Sequence, residues 1–181
     1  MKKAITILAL LISTGSSFAQ KKTTTSATVS FDATTPKDGL PKAENKTVIG
    51  SINPLTGDVA FEAAVKNFSF ANPQMQGHFN GENWMNSNTY PVISFTGKID
   101  KLSAVKFKKN GVYKVSVTGD LKIRDISKQQ KIKGTITVKG GKITVVSDFI
   151  VKLSDYNITG VPVDAGKVAK EPKVSVSAEF L

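Results

Sequence analysis

The segment VYKVSVTGDLKI, residues 112–123, alternates apolar and polar side chains without a break. Tyr113, Val115, Val117, Gly119, Leu121 and Ile123 share one face, and Lys114, Ser116, Thr118, Asp120 and Lys122 share the other. A period of two is a strand with one face buried and the other in water. Working outward, the same pattern recurs at residues 27–31, 48–52, 58–66, 92–99, 131–138, 143–153 and 173–180. No long stretch shows a helical period. Short turns read between the runs: Asn53–Gly57, Lys109-Asn110-Gly111 and Gly140-Gly141. Asn-Gly and Gly-Gly supply the positive φ that tight hairpins need, so consecutive strands are predicted to run antiparallel as a meander.

About eight such strands remove their exposed edges most simply by closing into a barrel, whose interior side chains just fill or which holds one small ligand. The predicted fold is therefore all-β, a single antiparallel barrel. A two-sheet sandwich is the architecture the same pattern also permits. The longer runs span ~30–40 Å at ~3.3 Å per residue, a length suited to an elongated apolar guest. Inward candidates are Ile93, Phe95 and Ile99, then Tyr113, Val115 and Val117, then Phe149, Val151 and Leu153. Small residues at Ala63, Gly97, Gly119 and Gly134 are expected to leave a channel among them.

The alternation stops between Asn72 and Phe95, NPQMQGHFNGENWMNSNTYPVISF, predicting a short helical or irregular segment near 72–90. It holds the single histidine, His78, and the single tryptophan, Trp84. Met75, Phe79, Trp84 and Met85 are read either as a plug that caps the barrel or as the wall of a ligand cavity. Each large apolar side chain contributes roughly 1.5–3 kcal/mol when fully buried.

The chain of 181 residues opens with Lys2-Lys3, an apolar run from Ala4 to Ile12, and small residues at Ser17 and Ala19. This reads as a secretory signal over residues 1–19 with cleavage before Gln20, leaving one domain over 20–181. The expected location is periplasmic or secreted. The formal charge of +11 includes Lys2 and Lys3, and Arg124 is the sole arginine. Dispersed lysine on strand faces gives solubility and blunts edges; it also suits transient contact with an anionic membrane surface. Nucleic-acid binders cluster arginine with stacking aromatics, so no nucleic-acid partner is expected. The chain has no cysteine, which excludes thiol catalysis and thiolate metal sites.

His78 is the one conventional acid–base group near neutral pH, and no serine stands in a recognised nucleophile setting. One histidine is a poor start for a metal site. His78 is expected to hydrogen-bond backbone within the connection, with a ligand head group as the alternative. Asp120 and Asp155 read as turn residues, Arg124 and Asp125 as a surface pair. The chemistry is that of a non-enzymatic protein with neither metal nor resident cofactor.

Three blocks resemble the bacterial YceI-like family of lipid- or polyisoprenoid-binding, lipocalin-like barrels. The first is His78-Phe79, Trp84-Met85 and Tyr90-Pro91 followed by Phe95. The second runs from Val117 to Ile123 and on to Ile126-Ser127-Lys128; the third is Ser154-Asp155-Tyr156-Asn157-Ile158. Met75-Gln76, Gln129 and Leu153 depart from the family's usual residues, marking a divergent member. The resemblance implies an exported carrier of a polyisoprenoid, an isoprenoid quinone or a fatty-acyl lipid. Candidate binding residues are His78, Phe79, Trp84, Met85, Phe95, Ile99, Tyr113, Val115, Val117, Phe149 and Val151. The rival reading is a solid-core barrel acting through its lysine-rich surface as an interaction or stress protein.

Overall fold

The structure, a computed structural model, describes residues 21–181; the leader predicted over residues 1–19 lies outside the described residues. Nine strands form, β1 (Lys22–Asp32), β2 (Lys42–Ile52), β3 (Asp58–Ala64), β4 (Ser69–Phe70), β5 (Val92–Ile99), β6 (Gly111–Ile123), β7 (Ile126–Lys139), β8 (Lys142–Ile150) and β9 (Lys173–Phe180). Two short helices join them, α1 (Pro73–Asn80) and α2 (Val161–Asp164). All eight sequence-predicted runs contain strands, although β3 stops at Ala64 rather than 66 and β8 at Ile150 rather than 153, where helical turns take over. Eight strands pair antiparallel in the order β1-β9-β8-β7-β6-β5-β3-β2, and β2 pairs back onto β1 to close the barrel. The two-residue β4 pairs only with β2.

The two ends of the barrel are built differently. One end carries the turn at residues 53–57, the connection at 100–110 and the Gly140-Gly141 hairpin. Both glycines there have positive φ, 58° and 82°, as a tight two-residue turn demands. The other end carries the long connections at residues 33–41, 65–91 and 151–172. Strand-borne Ile52, Val59, Ile99, Ile136, Val138, Ile143, Ala178 and Phe180 are buried at the turn end. The loop end is filled by Phe68, Phe79, Met85, Leu153, Tyr156, Ile158 and Val163, which hang from connections rather than strands.

Three expectations change. Lys109-Asn110-Gly111 is not a hairpin tip: β5 reaches β6 through a helical turn at Leu102–Ala104, and Gly111 already belongs to β6. Asn110 instead clips two turns together, accepting from the Gly140 amide at 2.9 Å. Gly97 and Gly119 do not open a channel. They face each other across β5 and β6, and a Cβ on Gly97 would lie 2.8 Å from the Thr118 carbonyl. A Cβ on Gly119 would overlap Gly97 Cα, so this pair draws two backbones together. Arg124 forms no ion pair with Asp125; at φ 57° in the β6–β7 turn, its guanidinium lies 5.5 Å from the Tyr90 ring centre.

Candidate functional site

The segment from Asn72 to Pro91 is ordered by local chemistry. Asn72 caps α1, its side chain accepting from the amides of Gln74 at 2.9 Å and Met75 at 3.4 Å, and Pro73 starts the helix without needing a donor. Beyond Gly81 the chain folds back on the helix: Met85 N–H donates to Phe79 O at 3.0 Å and Ser87 N–H to Asn80 O at 3.1 Å. The fold-back turns Phe79 and Met85 into the barrel mouth. Phe79 sits among Phe31, Phe68 and Phe70, with ring centres 6.2, 5.8 and 5.0 Å away. Tilted aromatic packing of this kind adds about 0.5–1.5 kcal/mol per pair beyond area burial.

Below this lid the barrel is hollow. A cavity of about 170 Å³ runs inside it, bounded by apolar side chains from every barrel strand. At the turn end the inward residues are fully buried against one another. Midway, the inward Val29, Phe95, Val115, Val117, Val145, Phe149, Val174 and Val176 are only half-buried, because they face empty space rather than side chains. Solid packing leaves few voids larger than a water molecule, so this interior departs from an ordinary core. The polar residues at its edge are Ser94, Ser147 and Lys133. The Lys133 side chain is exposed, and no carboxylate borders the cavity. Such a wall solvates hydrocarbon and rejects charge, since an unpaired buried charge is strongly unfavourable.

Of the sequence-predicted residues, Phe79, Trp84, Met85, Phe95, Ile99, Val115, Val117, Phe149 and Val151 come together on this cavity. Two do not. Tyr113 props the 100–110 connection, its hydroxyl against the carbonyls of Lys109 at 2.9 Å and Lys106 at 3.3 Å. His78 is exposed on the outer side of α1, and its ring makes no hydrogen bond among the described residues. The backbone anchor expected there is absent, because the fold-back is held by main-chain bonds instead. Val29, Phe31, Val174 and Val176 were not anticipated as wall residues, although the alternation in β1 and β9 carries them.

His78 borders a second, smaller pocket of about 90 Å³ with Pro41, Phe70, Met75, Pro162 and Val168. Phe31, Phe79 and Trp84 line both spaces, so three aromatic rings form the partition between an outer vestibule and the inner cavity. Among the described residues, no group of three or more His, Cys, Asp or Glu side chains is placed to hold a metal.

A closed eight-stranded antiparallel barrel with a hollow apolar interior defines a lipocalin-like architecture. The sequence matches the YceI-like domain over residues 13–180, and the chain belongs to that family. No match is found among curated proteins. The fold is similar to that of Burkholderia cenocepacia BcnA, 21% identical with a TM-score of 0.69, covering 84% of this chain and 95% of that one. It also resembles a polyisoprenoid-binding domain from Saccharophagus degradans implicated in plant cell wall breakdown, 13% identical with a TM-score of 0.74 over 90% and 97% of the two chains. The YceI protein of Campylobacter jejuni is 16% identical with a TM-score of 0.53, covering 99% of this chain and 92% of that one.

Proposed function

We propose that this protein binds, sequesters or carries a long apolar molecule, its hydrocarbon chain lying inside the barrel. The observation that carries the reading is the cavity wall, apolar but for Ser94, Ser147 and Lys133 at its edge, and left half-buried at mid-barrel by the space it encloses. Burial of each CH₂ from water contributes about 0.8 kcal/mol, so a chain of modest length is held without any polar contact. The polyisoprenoid-binding domain of similar fold supports an isoprenoid over a compact ligand. The vestibule beside His78 and Met75 is where a head group would sit. A solid-core barrel acting only through its surface would have no such void, so the cavity counts against that alternative.

Lys2-Lys3 and the apolar run after it support export, cleavage before Gln20 and a soluble mature domain of residues 20–181 in the periplasm or outside the cell. Among the described residues, the polar groups on the cavity edge are Ser94, Ser147 and Lys133, with no histidine or carboxylate beside them, which supports binding rather than turnover. Native mass spectrometry and organic extraction of protein purified from its own host test both parts. A co-purifying lipid on a chain starting at Gln20 is expected. Protein without lipid, and without a mass shift on adding prenyl alcohols, overturns the binding reading.

A further inference from the structure

The barrel wall has a fork. β7 and β8 pair from the Lys139↔Lys142 hairpin as far as Gly134↔Ser147, and there the ladder ends. Both strands continue: Ile126–Lys133 of β7 pair only with β6, and Asp148–Ile150 of β8 pair only with β9. Beyond β8 the chain stays with the β9 side, since the Val151 and Leu153 amides donate to Pro172 O and Lys170 O at 3.0 Å each. The β2–β3 seam also parts, past Ile49↔Glu62. There the space is bridged, because Asn45 Nδ2 donates to Ala64 O at 3.0 Å and β4 adds to β2. Among the described residues, no strand fills the β7–β8 fork.

The cavity reaches this fork. Ile132, Lys133 and Gly134 on one lip and Ser147 and Phe149 on the other are all part of its boundary. Ser147 stands in the crotch with its side chain on the inward face of β8, and its hydroxyl donates to Lys133 O at 2.8 Å, the first carbonyl past the end of the ladder. Farther along, the helical turn Leu153–Tyr156 stops the gap, Gln130 Nε2 lying 3.5 Å from the buried Tyr156 hydroxyl. The slit is therefore bounded by a hydroxyl latch and a tyrosine stop. Its outer lips mix exposed apolar residues, Val146 at 48% and Ile150 at 52%, with exposed Lys133, Asp148 and Lys152, while Lys131 leans away to pair with Asp100 at 3.2 Å.

Resting on the binding reading above, we propose that the β7–β8 fork is the lateral portal of the cavity, through which an apolar chain enters and leaves sideways between the strands. A sheet seam without ladder bonds parts without breaking backbone hydrogen bonds, whereas the loop-end route must displace the Phe31, Phe79 and Trp84 partition. Hydrocarbon passing the slit meets Ile132 and Phe149, and its departure is resisted by one side-chain hydrogen bond. The mixed lips suit a bilayer surface as the source, with apolar contact at Val146 and Ile150 and lysines toward head groups.

Extending the register past Gly134↔Ser147 puts Lys133 opposite Asp148. In this cysteine-free chain, Lys133→Cys/Asp148→Cys joined by a short bis-maleimide locks the fork. Lys37→Cys/Ala165→Cys, where the lysine Nζ donates to Ala165 O at 3.0 Å, locks the loops at the barrel mouth. Stopped-flow uptake of retinol, a fluorescent isoprenoid alcohol, from phosphatidylcholine vesicles is expected to slow ~10-fold in the fork-linked protein and less than ~2-fold in the mouth-linked one, with equal final occupancy. Ser147→Ala is expected to speed uptake ~3-fold by removing the latch. Unchanged rates in the fork-linked protein and Ser147→Ala, or slowing by the mouth link alone, overturn the portal. Absence of retinol occupancy in the unlinked parent overturns the binding reading itself.

Discussion

The two ends of this barrel bury comparable side chains by different means. At the turn end, Ile52, Ile136, Ile143 and Phe180 project from strands whose positions the ladders fix. At the loop end, Phe79, Trp84 and Met85 hang from a connection held by a capped two-turn helix and a few main-chain bonds. The first arrangement is cooperative with the whole sheet; the second can open without unfolding it. That difference gives one end its stability and leaves the other a closure that can yield while the sheet stays folded.

The sharpest way to break the comparison is Phe180→Ala, which removes a fully buried ring packed edge-on against Phe61 at 6.3 Å. Urea unfolding is expected to show a loss of about 4 kcal/mol. Trp84→Ala removes a half-buried ring of the partition and is expected to cost about 2 kcal/mol in urea unfolding. If Trp84→Ala destabilises as much as Phe180→Ala, the two ends are equally coupled to the sheet and the distinction fails. His78→Ala is expected to shift unfolding by no more than about 0.5 kcal/mol, since the ring is exposed and makes no hydrogen bond among the described residues.

Acid should not separate the ends. At the loop end, hydrogen bonds from the Thr34 amide and hydroxyl hold the Asp32 carboxyl below its ordinary 3.8. At the turn end, Asp58 is held below the same value, chiefly by the Thr56 hydroxyl, and Asp100 chiefly by Thr118. A carboxylate whose pKa is depressed on folding gives stability that is complete above 3.8 and lost as pH falls through the lower folded value. Urea midpoints are therefore expected to hold between pH 7 and 5 and to drop only below 3.8, with both ends contributing. A midpoint that falls between pH 7 and 5 points to a group other than these carboxylates.

The strands were legible because each has one wet face and one dry face, so period two survives in Tyr113, Val115, Val117 and their counterparts. The closing topology followed from short turns and the need to hide edges. What escaped was whatever depends on contacts distant in sequence. Gly97 and Gly119 look alike to any small residue until β5 and β6 are paired and their backbones meet. His78 drew attention through rarity, yet its face of α1 points outward. The Asn72–Phe95 break marked the lid correctly in place, while the vestibule needs Pro41, Pro162 and Val168 from connections far along the chain. The fork was invisible for the same reason: β7 and β8 each continue to alternate, and only their separation shows that the ladder has stopped.

β1 lies between β2 and β9, so the first and last strands are neighbours in the wall. Synthesis produces them at opposite times. Until residues 173–180 exist, β1 and β8 both present raw edges, and no partial chain can finish the circle. Closure is thus a single late event joining ends most distant in sequence, a slow class of contact to form. A chain still on the ribosome would stay open and adhesive, and the barrel would exist only once its last strand had arrived.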